Sequence, residues 1–183
     1  MAHFCLRCGR PLVLRIIEGR EVEACPDDDF VLWRDPKVAT AVVVEAEGGI
    51  VLGRRSIEPG YGEWCLPGGF VNYDEDPAGA AVRECLEEIG ADVELLELLG
   101  VYHVAKMTTS SIVGIAYRGR LAGRAAISAG SEMFEVGVFR LDALPEIAFP
   151  SHRQVLAMYD GAAARYASPP SATPARPTPP RTR

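Results

Sequence analysis

Residues 69–91 read Gly69-Phe70-Val71-Asn72-Tyr73-Asp74-Glu75-Asp76-Pro77-Ala78-Gly79-Ala80-Ala81-Val82-Arg83-Glu84-Cys85-Leu86-Glu87-Glu88-Ile89-Gly90-Ala91, a glycine loop that feeds a helix. Asp76 suits the N-cap, Pro77 the first helical position and Gly90 a left-handed stop, so the spacing predicts a helix from Pro77 to Ile89. Ala78, Ala81, Val82, Cys85 and Ile89 recur at helical spacing and form the stripe that packs inward. Glu84, Glu87 and Glu88 stand at i, i+3 and i+4, which gathers three carboxylates beside that stripe.

Carboxylates crowded in this way repel one another. The cluster is either a solvated polar face or a shell for a divalent cation that cancels the repulsion, and its place at the border of the buried side favours the cation. Arg83, one turn before Glu87, can hold that carboxylate by a charge-assisted hydrogen bond. Gly68 and Gly69 let backbone come close to a metal or a phosphate. Three ligands, an orienting arginine and an open glycine loop suit magnesium.

The rest of the chain is consistent with a compact enzyme. Its 183 residues are 48% hydrophobic, enough for one good core with a small appendage. The longest apolar runs, such as Thr40 to Val44, are far below membrane-spanning length, and Met1-Ala2-His3-Phe4 does not open a secretory signal. A cytoplasmic protein that does not engage a membrane is expected. The net charge is −6, and the stretch from Ser168 holds Arg176, Arg181 and Arg183 without an acid, so the body is more acidic than the whole. Residues 1–37 carry six basic and seven acidic side chains, so no basic face points to nucleic acid.

Five cysteines in such a chain read as thiols or metal ligands rather than disulfides. Cys65 and Cys85 lie in apolar stretches and are expected in the core. Cys5-Leu6-Arg7-Cys8-Gly9 has the shape of a zinc knuckle, and Cys25-Pro26-Asp27-Asp28 that of its partner with Asp in place of the last Cys. Leu12 to Glu18 and Arg20 to Ala24 are β-rich around Glu18-Gly19 and predict a hairpin between the knuckles. Zinc on Cys5, Cys8, Cys25 and Asp28, zinc with His3 folded back as fourth ligand, and a metal-free hairpin all remain open at this level.

Val38 to Glu47 and Ile50 to Arg55 are strand-like and meet at Gly48-Gly49; Val93 to Ala105, Ser110 to Leu121 and Val136 to Leu141 follow as further strands. His152 to Tyr166 is helical in pattern, with Val155, Leu156 and Tyr159 facing inward. Strands, helix, strands, helix predict an α+β layered domain with a mixed sheet. The composition implies three parts: residues 1–36 as a small β module, 37–167 as the main domain, and 168–183 as a disordered tail too poor in apolar residues to offset its ordering entropy.

The spacing Gly69-x5-Glu75-x7-Arg83-Glu84-Cys85-x-Glu87-Glu88-x-Gly90-Ala91 is similar to the Nudix box in every fixed position, and the chain resembles Nudix hydrolases over its main domain. Trp64-Cys65-Leu66-Pro67-Gly68-Gly69 and the Arg54-Arg55 pair resemble the segment leading into that box. The resemblance implies a Nudix α/β/α sandwich and a pyrophosphatase using magnesium or manganese. Metal would sit on Glu84, Glu87, Glu88 and the Gly69 carbonyl. Arg83 would orient a glutamate, and Glu75 would support the loop. The general base in the family is either a box glutamate, here Glu87 or Glu88, or a carboxylate on a later loop. Glu132 in Ser131-Glu132-Met133-Phe134-Glu135 is the candidate for that later role, and a charged turn is the other reading of it.

A zinc ribbon preceding the catalytic domain also resembles the NADH pyrophosphatase branch and a branch acting on FAD and ADP-ribose. Of the NADH-type downstream signature only the end matches, at Ala148-Phe149-Pro150-Ser151, and no proline stands between Pro77 and Pro145, where one ADP-ribose subgroup has one. The resemblance therefore implies a nucleoside diphosphate linked to another moiety, of FAD, ADP-ribose or NADH type, as the small-molecule substrate, with the FAD and ADP-ribose branch the best match. Arg54 and Arg55 are candidates to bind it. Tyr61, Phe70, Tyr73, Tyr102, His103 and Phe149 are available to stack on a base or flavin, or to fill the core. A nucleoside triphosphate pyrophosphohydrolase and a non-catalytic nucleotide sensor are the alternatives, and a homodimer is allowed for. Sensors usually lose a box glutamate, and all three are present.

Overall fold

The computed structural model describes residues 2–104, 111–123 and 126–167. The tail expected from Ser168 lies outside these residues, as do Ala105 and Ser110. Strands β1 (Val13–Ile17) and β2 (Arg20–Ala24) form the expected hairpin, with Glu18 and Gly19 both at positive φ in its turn. A third strand, β3 (Val31–Leu32), adds antiparallel to β2.

The main sheet is mixed. Its strands are β4 (Lys37–Ala46), β5 (Gly49–Arg55), β6 (Trp64–Cys65), β7 (Val93–Val104), β8 (Ile112–Leu121) and β9 (Met133–Phe139), in the order β6-β5-β4-β8-β7, with β9 on β5. β4 and β8 run parallel, and the other pairings are antiparallel. Alternation along β4 sends Ala41 and Val43 to one face and Val42 and Val44 to the other, all buried. Helix α1 (Pro77–Ile89) covers the second face through Ala81, Cys85 and Ile89. Helix α2 (Pro150–Ala167) covers the first through Val155 and Tyr159. The result is the expected α/β/α sandwich, and Cys65 and Cys85 are core residues as expected.

Helix α1 has the expected bounds. Asp76 Oδ1 accepts from the amides of Ala78 and Gly79 at 2.8 and 3.1 Å, a cap contributing about 1 kcal/mol, and Gly90 closes the helix at φ 64°. The sequence pattern did not indicate β3 or β6, because two-residue strands exist through their partners rather than through a pattern of their own. Strand β9 starts at Met133, not at the expected Val136. It follows β5 along its length and passes a register shift between Arg54 and Arg55.

β5 leaves β4 after two residue pairs, which would orphan backbone groups on the open edge of β4. The segment after β6 fills that edge: Thr40 N donates to Gly69 O, Val42 N to Pro67 O, and Val71 N to Val38 O, at 2.8 to 3.0 Å. Gly68 is essential there, since its φ is 148° and a Cβ would lie 2.2 Å from the Thr40 carbonyl oxygen. This splice carries the glycine loop across the sheet to face α1.

Candidate active site and cysteine cluster

Arg83 is the hub of the box. Its Nε and Nη2 grip Glu75 in a two-pronged pair at 2.7 and 2.9 Å, Nη1 donates to Glu84 at 2.9 Å and to Glu87 at 3.0 Å, and Nη2 reaches the Phe70 carbonyl at 3.1 Å. Sequence spacing pointed to the contact with Glu87; the stronger one is with Glu75. Arg83, helped by the amides of Asn72, pulls the Glu75 carboxyl down to about 2. Glu75 is thereby fixed as a structural anion that locks the loop to the helix.

Glu88 differs from its neighbours in being buried, with 5% of its surface exposed. It accepts one hydrogen bond, from Gly68 N at 2.8 Å. Burial pushes its carboxyl up to about 8, with Glu84 and Glu132 adding to the rise and Gly68 and Arg55 opposing it. Glu84 is also raised by burial, against the pull of Arg83. Gly69 makes room for it: a Cβ there would meet the Glu84 carboxylate at 2.4 Å. A cluster of carboxylate oxygens in which burial and neighbouring carboxylates raise both Glu84 and Glu88 fits a divalent cation of the magnesium class. The Gly69 carbonyl accepts from Thr40 N at 2.8 Å and, at the longer distance of 3.5 Å, from the Thr40 hydroxyl.

These groups line a cleft of about 690 Å³. Gly69, Phe70, Arg83, Glu84, Glu87 and Glu88 border it, together with Arg55, Glu132 and Phe149. Arg54 and Tyr61 do not line it. Neighbouring residues on a strand point to opposite faces, so Arg54 turns to Glu135 at 2.8 Å and to the Gly62 carbonyl, while Tyr61 packs edge-on against Phe134. Tyr73 and His103 are exposed outside the cleft, whereas Tyr102 is a wall of it. The Tyr102 ring lies across Gly114, where a Cβ would come within 2.3 Å of it.

Glu132 reaches the cleft through a contact invisible in sequence. The last carbonyls of α1 are capped by a later loop, Glu88 O by Gly130 N at 3.0 Å and Ile89 O by Ser128 N at 2.9 Å. Gly130 sits so close that a Cβ would be 1.8 Å from the Glu87 carbonyl oxygen. Gly130→Ala is therefore expected to displace the loop and lower kcat at least about tenfold, with a smaller change in KM. Steady-state kinetics beside a melting curve will show whether activity falls further than stability explains.

In the N-terminal sheet, single donor atoms of Cys5, Cys8, Cys25 and Asp28 all lie within 4.8 Å of one another. Cys8 Sγ is 3.5 Å from Cys25 Sγ, and Cys5 Sγ is 3.4 Å from Asp28 Oδ2. Three thiols and a carboxylate converging from two turns fit zinc in its four-ligand form. His3 stands outside this group of four, and its Nδ1 pairs with Glu23 at 2.9 Å.

The NUDIX domain family model matches residues 35–159, and the chain belongs to the Nudix family. It is a hydrolase of pyrophosphate bonds. It is 30% identical over 152 residues to the ADP-ribose pyrophosphatase of Methanocaldococcus jannaschii, covering 82% of this chain and 86% of that one. It is 38% identical over 92 residues to the low-salt glycan biosynthesis protein Agl8 of Haloferax volcanii, where the match spans 49% of this chain and 58% of the relative. Among solved structures, a NUDIX hydrolase from Nitrosomonas europaea superposes with a TM-score of 0.77 at 33% identity, over 87% of this chain and 92% of that one.

Sequence spacing carried no signal for His152, Thr40 or Ser131, which also line the cleft. Each is placed by the approach of a distant element.

Proposed function

We propose that this enzyme hydrolyses a nucleoside diphosphate linked to a second moiety, of ADP-ribose or FAD type, and releases a nucleoside monophosphate. The main support is the similarity, over 82% of this chain, to an ADP-ribose pyrophosphatase, joined to a cleft whose carboxylates stand among aromatic and arginine side chains able to hold a two-ended molecule. In this reading residues 37–167 are the catalytic unit and residues 1–36 a zinc-stapled module of a cytoplasmic protein.

Glu84, Glu87 and Glu88 would hold magnesium, which draws charge from the phosphate oxygens and eases attack by water. Arg83 holds Glu84 and Glu87 in position while bound itself to Glu75. Arg55 lines the cleft near Glu88, where a cation meets the phosphates. Glu132 is the proposed acceptor of the water's proton.

A panel of ADP-ribose, FAD, NADH, diadenosine polyphosphates and nucleoside triphosphates with magnesium tests the assignment. The expected result is a higher kcat/KM for ADP-ribose or FAD than for any triphosphate, with AMP among the products. Faster pyrophosphate release from a triphosphate would replace this reading with that of a nucleotide-pool pyrophosphohydrolase.

A further inference from the structure

One polar group in the cleft has no part in the chemistry above. His152, in the first turn of α2, lines the cleft beside Phe149. Its Nδ1 faces the backbone amide of Leu66 at 3.1 Å, and a backbone N–H can only donate. The ring must therefore keep its lone pair on Nδ1 and carry its proton on Nε2. Burial and the nearby Arg55 guanidinium disfavour the imidazolium, and the positive end of α2 acts in the same direction. Among the described residues Nε2 has no hydrogen-bond partner.

The surroundings are those of a recognition pocket. The Phe149 ring meets the imidazole edge-on at 5.0 Å and carries the Arg55 guanidinium over it, also at 5.0 Å. Arg55 is itself braced by donation from Nε to the Pro59 carbonyl at 2.7 Å. An aromatic plate, a fixed cation and a neutral N–H donor thus share one end of the cleft.

We propose that His152 is a specificity-determining residue, a tautomer-locked Nε2–H donor that binds an acceptor oxygen on one half of the diphosphate substrate. A ribose hydroxyl and a phosphate oxygen share that chemistry. A partner offering only donors is rejected, because the locked ring has no lone pair to present. The inference rests on the proposed reading of the cleft as a site for a two-ended diphosphate.

Two substitutions separate the ring's two nitrogens. In His152→Asn the amide oxygen can still accept from Leu66 N, but the donor at the Nε2 position is gone; in His152→Gln a donor reaches that position and the Leu66 contact is lost. With ADP-ribose and magnesium, His152→Asn is expected to raise KM about tenfold while kcat stays within about threefold and the melting temperature near wild type. His152→Gln is expected to recover most of the KM at a lower melting temperature. Inhibition by the products locates the acceptor: weakened inhibition by ribose 5-phosphate in His152→Asn assigns it to the sugar half, and weakened inhibition by AMP to the nucleotide half. An unchanged KM in folded His152→Asn overturns the proposal, as does a KM rise that His152→Gln does not reverse. If wild-type enzyme prefers a triphosphate, the substrate reading fails, and the same KM comparison on that triphosphate still decides the role of His152.

Discussion

Glu88→Gln is expected to reduce turnover at least about a hundredfold and at the same time to stabilise the magnesium-free protein. The folded carboxyl sits at about 8, above its ordinary value of 4.5, so its protonated form favours folding. That contribution is complete below about pH 4.5 and is lost as pH rises through 8. At pH 8 the wild-type protein bears nearly the full cost of a buried charge, whereas Gln keeps the acceptor for Gly68 N and carries none. The gain should be on the order of 2 kcal/mol, or about 4–8 °C in melting temperature for a chain of this size. It should shrink toward pH 5. Saturating magnesium should stabilise wild type and leave the variant unchanged.

Glu87→Gln provides the contrast. Its side chain is 58% exposed and paired with Arg83, so activity should fall at least about a hundredfold without a gain in stability. Melting curves across pH in magnesium-free buffer, beside kcat at saturating magnesium, separate the two variants. A Glu88→Gln protein that is active, or is less stable than wild type at pH 8, would sink the buried-ligand assignment.

Metal analysis of protein purified without chelator is expected to find about one zinc per chain, and none in Cys8→Ser. The Cys8→Ser protein should lose order in its N-terminal sheet, whose apolar burial is small: Val13, Leu14 and Ile16 on β1 are all exposed. Little besides the cluster holds that sheet, so zinc is expected to supply most of its stability. Asp28→Cys should bind zinc more tightly, since a thiolate replaces a carboxylate at the same place in the cluster. Competition with a chromogenic chelator reads that change, and a zinc-free wild type would leave the sheet a metal-independent hairpin.

The bounds of α1, its caps and the gathering of Glu84, Glu87 and Glu88 were all legible in residues 69–91, because a helix is a local structure whose period and termini are written in neighbouring residues. The β1–β2 and β4–β5 hairpins were legible for the same reason, as short turns between strand-like runs. The approach of Asp28 to the three cysteines was legible as spacing.

Tertiary structure decided what lies across the sheet. Arg54 and Arg55 are equal candidates in sequence. The bulge in β5 and the pairing with β9 give Arg54 to Glu135 and leave Arg55 in the cleft. Glu132 and Glu135 are likewise indistinguishable as a charged run until Gly130 caps α1 and brings Glu132 to the carboxylates. The high pKa of Glu88 comes from burial, with the Gly68 amide opposing it, and the locked tautomer of His152 depends on the Leu66 amide; both amides are supplied by the splice after β6. Such contacts join residues far apart in the chain, and their energy comes from desolvation and exact approach, neither of which leaves a period or a spacing in the sequence.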